Sequence, residues 1–191
     1  MSQAGHASGA PGGSAVGASR AHGSSAASPG AGNAVRAAVI TVSDRSAAGK
    51  RTDRGGPVAV EALREAGFDT VEARIVPDGA DSVAEALRSA LESGARLVVT
   101  TGGTGIAPRD LTPEGTARVL DRQIPGIPEE LRRIGAAVAP GGLLSRGIAG
   151  IAGDAIVVNL PGSPGGVRDG MELILRVAPH ALAQLEGGDH G

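Results

Sequence analysis

Residues 97–114 read LVVTTGGTGIAPRDLTPE. The run Leu97-Val98-Val99-Thr100-Thr101 is apolar or β-branched throughout, which predicts a strand buried on both faces of an α/β sheet. Gly102, Gly103, Thr104 and Gly105 follow. Three glycines in four residues let the chain turn sharply and let a ligand approach backbone N–H groups closely. Thr112-Pro113-Glu114 reads as a helix start. Thr112 suits the N-cap, Pro113 the first helical position, and Glu114 the positive end of the helix dipole. Asp110 stands between loop and helix, beside Arg109. A carboxylate next to an anion-binding loop does little for folding, but it can hold a metal on phosphates. The alternative is a tight strand-to-helix connection with no ligand.

Working outward, residues 36–43 (RAAVITVS) predict the first strand, ended by Ser43-Asp44-Arg45. A polar loop with Lys50, Asp53 and Gly55 leads to a helix that Pro57 can start and Gly67 stop. Residues 70–76 predict a second strand, closed by Pro77-Asp78-Gly79. Ser82 and Glu85 fit a capping box, and Val83, Ala86, Leu87, Ala90 and Leu91 form a helical stripe that Gly94 ends. Beyond the central stretch, a helix opened by Pro128 carries Leu131, Ile134 and Val138 on one face. Residues 140–153 read as an irregular glycine-rich stretch. Residues 155–160 (AIVVNL) predict a last buried strand, which runs into Pro161-Gly162-Ser163. A final helix is expected over 167–185, kinked or broken at Pro179.

Strands alternating with helices predict an α/β fold: three layers, α/β/α, with a mostly parallel sheet and helices on both faces. Ligands of such sheets sit beyond the carboxyl ends of the strands. Ser43-Asp44, Pro77-Asp78, the 102–110 loop and 159–163 all fall there, and right-handed crossovers gather them at one edge.

Composition removes several kinds of chemistry. Among 191 residues there is no Cys, Trp or Tyr; Lys50 is the only lysine and Phe68 the only aromatic residue. Disulfides, thiolate metal sites and cysteine nucleophiles are therefore excluded. His6, His22 and His190 lie near the termini and His180 within a helical pattern, which leaves no basis for a histidine triad or multi-histidine metal site. With 18 basic and 20 acidic residues the formal charge is −2. No basic stripe and no stacking platform invites nucleic acid. No apolar run approaches the ~20 residues of a membrane span, and a cytoplasmic location is expected. A P-loop lysine is missing, and Ala107-Pro108 occupy the region where a dinucleotide fingerprint needs its third glycine. Residues 1–33, rich in Gly, Ala and Ser, are expected to form a disordered tail. The folded domain should cover 34–188, and 189–191 a short C-terminal tail.

The string TTGGTGxxPRDxTPE, with residues 41–44, 76–78, 144–146 and 159–163, resembles the MogA/MoaB family of molybdenum cofactor biosynthesis proteins, which includes the G domain of gephyrin. The resemblance implies binding of molybdopterin. It also implies transfer of AMP from Mg-ATP to the pterin phosphate, ahead of molybdate insertion by a partner enzyme. By resemblance, Asp78 and Asp110 match essential carboxylates that hold Mg2+. Ser43, Asp44, Ser145 and Asn159 match pterin or nucleotide contacts. So do Gly102, Gly103, Thr104 and Gly105 of the first loop and Pro161, Gly162 and Ser163 of the second. A homotrimer is implied as well. The alternative within the same resemblance is a MoaB-like, non-catalytic molybdopterin carrier or scaffold.

Overall fold

The computed structural model describes residues 34–187; the expectations for 1–33 and 189–191 lie outside the described residues. The predicted apolar runs form strands β1 (Arg36–Val42), β4 (Leu97–Thr101) and β7 (Ala155–Leu160). They lie side by side and parallel, with β4 central: Val99 pairs with Val39 on one side and Val158 on the other. All five residues of β4 and all six of β7 are buried, as expected of strands covered on both faces.

Four shorter strands complete the sheet: β2 (Asp69–Thr70), β3 (Arg74–Val76), β5 (Arg122–Gln123) and β6 (Ala149–Ala152). The order is β2-β1-β4-β7-β6-β5, with β3 also pairing β1 in parallel. β5 and β6 are antiparallel to their neighbours, so the sheet is mostly parallel with one antiparallel edge.

Among the described residues six α-helices accompany the sheet: α1 (Asp44–Ala47), α2 (Gly56–Glu65), α3 (Ala80–Glu92), α4 (Thr112–Ala117), α5 (Gly126–Val138) and α6 (Pro164–Leu185). The two-residue period of the strands divides the core between two faces. Ala37, Val39, Leu97, Val99, Ile156 and Val158 pack with Leu63 of α2 and Val167, Met171, Ile174 and Leu182 of α6. Ile40, Val42, Val98 and Val157 point the other way, onto Val83, Ala86 and Leu87 of α3. Burial of each such Leu, Val or Ile is worth roughly 1.5–3 kcal/mol. That pattern is the three-layer α/β/α architecture.

Local details differ from expectation where backbone geometry outranks sequence signals. The 70–76 run is two short strands separated by 71–73, with Val71 exposed. Ser82 is not a cap: α3 starts at Ala80 after Gly79, and the Ser82 hydroxyl donates back to the carbonyls of Pro77 and Gly79. Thr112 is not a cap either. Leu111 holds that position, and the Thr112 hydroxyl donates to the Gly102 carbonyl instead. α5 starts at Gly126, two residues before Pro128, and α6 starts at Pro164. The irregular 140–153 stretch contains a 3-10 turn (Pro140–Leu144) and β6. Pro179 does not end α6, because Ala178 and Leu182 bury on either side of it in one continuous core.

Candidate active site

The parallel strands β1, β3, β4 and β7 deliver their carboxyl ends to one edge, and hydrogen bonds lock the ends together. Ser43 N–H donates to the Val76 carbonyl at 2.9 Å. Asp44 and Asp78 exchange bonds: Asp44 N–H donates to Asp78 Oδ2 (2.8 Å), and Asp78 N–H donates to Asp44 Oδ1 (3.0 Å). Gly102 N–H donates to the Leu160 carbonyl at 3.0 Å, joining the two glycine loops.

Gly102 and Gly103 have φ of 95° and 60°, left-handed values that L side chains rarely adopt. A Cβ at Gly102 would lie 2.4 Å from the Val42 carbonyl oxygen. One at Gly103 would lie 2.3 Å from Thr112 Oγ1 and 3.2 Å from Asp78 Oδ1. A Cβ at Gly105 would lie 2.7 Å from Asp110 Oδ2. Glycine is thus required where the loop runs between the two carboxylates. The amides of Gly103, Thr104 and Gly105 are not engaged by other described residues, which leaves them free as anion donors.

Asp110 is held by its own turn: Ala107 N–H donates to Asp110 Oδ2 (3.0 Å), and Asp110 N–H donates to the Ala107 carbonyl (2.9 Å). Asp78 lies near enough to feel its charge. Burial pushes the Asp78 carboxyl above the usual aspartate value; Asp44 and Asp110 push the same way, while the Asp44 N–H and Arg109 oppose them. Among the described residues no cluster of three or more His, Cys, Asp and Glu side chains could hold a metal ion. Asp78 and Asp110 alone would leave most of a cation's coordination to water and phosphate, which suits Mg2+ arriving on a triphosphate.

Two clefts meet at this edge. The larger, about 610 Å3, is lined by 102–105, Asp110, Ser145 and 161–163, and closed by Leu131, Ile134 and Val138 of α5. The smaller, about 330 Å3, is lined by Ser43, Ser46, Arg51, Asp53 and Arg54. Gly102, Gly162 and Ser163 form the wall between them. Behind that wall, Thr41 Oγ1 donates to Asp53 Oδ2 (2.7 Å), and Asp53 Oδ1 accepts the Gly55 and Gly56 amides.

Ser43 and Ser163 also cap helices, accepting from the amides of Ser46 and Gly166. Asn159, expected among the ligand contacts, is only 2% exposed and does not line either cleft. Its side-chain amide donates to the hydroxyls of Thr100 (3.0 Å) and Thr116 (2.9 Å) and accepts from Ile148 N–H. These bonds tie the end of β7 to Ile148, three residues beyond Ser145, and to Thr100 and Thr116. Leu131, Ile134 and Val138, expected on one face of a helix, do share a face. They line the cleft, and Val138 is 76% exposed. Arg146 was visible only as part of a motif, and its guanidinium reaches back to the 105–114 segment.

A family described as "probable molybdopterin binding domain" matches residues 38–181, well over half of the chain. The "molybdopterin adenylyltransferase" of Escherichia coli is 37% identical over 144 residues, 73% of each chain. The "molybdenum cofactor biosynthesis bifunctional protein" of Chlorobaculum tepidum is 36% identical over 155 residues, 81% of this chain. The chain spans about half the length of the bifunctional relatives it matches. Among solved structures, the molybdopterin biosynthesis Mog protein of Mycobacterium ulcerans is 47% identical with a TM-score of 0.77, covering 82% of this chain and 99% of its own. With the motifs at the sheet edge and the matched span agreeing, the chain belongs to the molybdopterin-binding MogA/MoaB family of molybdenum cofactor biosynthesis proteins.

Proposed function

We propose that this protein is a molybdopterin adenylyltransferase, which transfers AMP from ATP to the terminal phosphate of molybdopterin and releases pyrophosphate. The observation that carries the reading is the pair of clefts sharing the Gly102, Gly162 and Ser163 wall, with Asp110 lining the larger cleft beside Gly105 and Asp78, which lines neither cleft, beside Gly103. Two substrates, one per cleft, would bring their phosphates together at that wall. The larger cleft, with its apolar α5 side and Ser145, takes the pterin.

The chemistry asks little of side-chain acids or bases. An oxygen of the pterin phosphate, already ionised, forms the new bond to the α-phosphorus. The bond from that phosphorus to the bridging oxygen breaks, and pyrophosphate leaves with the electron pair. The protein's part is alignment and charge neutralisation. The free amides of Gly103, Thr104 and Gly105 offer donors to phosphate oxygens. Mg2+, when bound, would be held by Asp78 and Asp110 and would supply charge neutralisation on the phosphates. Burial chiefly, with the charges of Asp44 and Asp110 adding to it, raises the Asp78 carboxyl, and a cation between the carboxylates would offset that cost. Exposed Arg109 stands beside Asp78 with no hydrogen-bond partner among the described residues, free to meet a polyphosphate.

A homotrimer in the cytoplasm, handing its product to a molybdate-inserting enzyme, belongs to the same reading. Among the described residues no helix is long and apolar enough to cross a membrane. The deciding assay mixes the purified protein with molybdopterin and α-labelled Mg-ATP. Label on the pterin with stoichiometric pyrophosphate supports transfer. Tight pterin binding with neither product would make the protein a carrier.

A further inference from the structure

Arg146 lies 36 residues beyond Asp110, in the chain that leaves the 3-10 turn Pro140–Leu144. Its backbone N–H donates to the Thr104 carbonyl at 2.8 Å. Its Nε donates to the Gly105 carbonyl at 2.7 Å. One Nη donates to the Asp110 carbonyl, and the other pairs with the Glu114 carboxylate. A single residue therefore spans both ends of the 104–110 loop and the first turn of α4. The partly buried position limits competition from water.

We propose that Arg146 is the positioning residue of the site: it fixes the Asp110 carboxylate against the glycine loop, and Glu114 in turn fixes Arg146. The functional half of this inference rests on the adenylyl-transfer reading; the structural half does not. Within the loop, Asp110 is otherwise secured only by the turn with Ala107. That turn sets its shape, and Thr112, two residues on, ties the loop's exit to the glycine loop, its N–H donating to the Gly103 carbonyl (3.1 Å) and its hydroxyl to the Gly102 carbonyl (2.9 Å). The guanidinium adds a second anchor, from outside the loop, at Asp110 itself, because its planar donors meet three oxygens in fixed directions, which a lysine cannot do. The Arg146 hydrogen bond holds the Glu114 carboxyl below the usual glutamate value. Ser145, which lines the larger cleft, immediately precedes Arg146, so the same clamp registers the cleft wall to the carboxylate loop.

The test compares Arg146→Lys and Glu114→Gln with the full-length protein. Amide exchange at Ala107, Asp110 and Thr112 reports the loop without any substrate. Faster exchange there, with β4 unchanged, is expected in Arg146→Lys; unchanged exchange overturns the inference whatever the activity. In the AMP-transfer assay, kcat should fall about a hundredfold in Arg146→Lys. The loss in Glu114→Gln should be about tenfold. The pterin dissociation constant should stay put. Wild-type kcat in both variants overturns the inference, and so does a loss shared equally by kcat, pterin affinity and melting temperature, which marks a general loosening. Should Arg146→Lys fail to fold, Glu114→Gln decides by the same two readouts. A wild-type protein that transfers no AMP removes the proposed function, and the exchange experiment still decides the clamp.

Discussion

The two sides of the larger cleft are built on opposite plans. On the carboxylate side, backbone and side chains are pinned at many points. Gly102 and Gly103 sit in left-handed conformations against Val42 and Thr112, and Asp44 and Asp78 exchange bonds. Arg146 ties the carbonyls of Thr104, Gly105 and Asp110. On the α5 side, Leu131, Ile134 and Val138 present apolar surface, and Leu143 and Leu144 stand exposed nearby. Charge must be placed to within a fraction of an ångström to stabilise a transition state, whereas an apolar wall needs only shape. The contrast predicts that damage to the first side appears in rate and fold, and damage to the second in binding.

The sharpest break is at the carboxylates. Asp110→Asn should lower the AMP-transfer rate at least a hundredfold, or ~3 kcal/mol of transition-state stabilisation. Asp78→Asn should behave alike. Pterin affinity, measured in parallel, should hold. Unchanged rates in both variants would leave the two residues as turn formers.

Gly103→Ala sets rigidity against openness. It forces a left-handed φ on alanine and drives a Cβ into Thr112, so a loss of about 1–3 kcal/mol is expected in denaturant melts. Gly141→Ala, on the α5 side, meets nothing within 4 Å and should leave the midpoint where it is. Equal midpoints for the two variants would erase the distinction between the sides. Smaller again, Ile134→Ala should weaken pterin binding about tenfold, ~1.4 kcal/mol, with kcat intact. A fall in kcat without a change in affinity would reverse the assignment of the two sides.

How much of this was legible beforehand follows from where each signal resides. β4 and β7 could be read because strands buried on both faces must be apolar along their whole length. The glycines could be read because few other residues tolerate those turns. β5 could not: Arg122 and Gln123 are exposed, and only pairing with Ile151 and Gly150 makes them a strand. Asn159 is a related case. A polar residue at a strand's end looks like a ligand contact, yet its hydrogen bonds turn inward to Thr100, Thr116 and Ile148. The face of Leu131, Ile134 and Val138 has a core-like period, and no local signal separates a cleft wall from a core. Arg146 shares no sequence neighbourhood with Asp110, so its role exists only in three dimensions.

The smallest predicted effect is the one that separates function from stability at a single residue. Burial, with the charges of Asp44 and Asp110, raises the folded-state Asp78 carboxyl above its unfolded value of 3.8. The folded protein therefore holds that proton more tightly than the unfolded chain. Between 3.8 and the raised value, the folded state binds more protons, so stability declines as pH rises through that window. At neutral pH the ionised Asp78 is a standing penalty, kept for what the carboxylate does. Asp78→Asn removes the charge but keeps an oxygen to accept the Asp44 N–H. The variant should thus melt slightly higher than wild type at pH 7 and match it at a pH below 3.8, while its transfer rate collapses. A stability gain beside a lost rate is the signature of a strained catalytic group. A variant that melts lower at pH 7 would mean that the Asp44–Asp78 exchange holds the edge of the sheet together, and the carboxylate side would owe its rigidity to charge rather than to backbone.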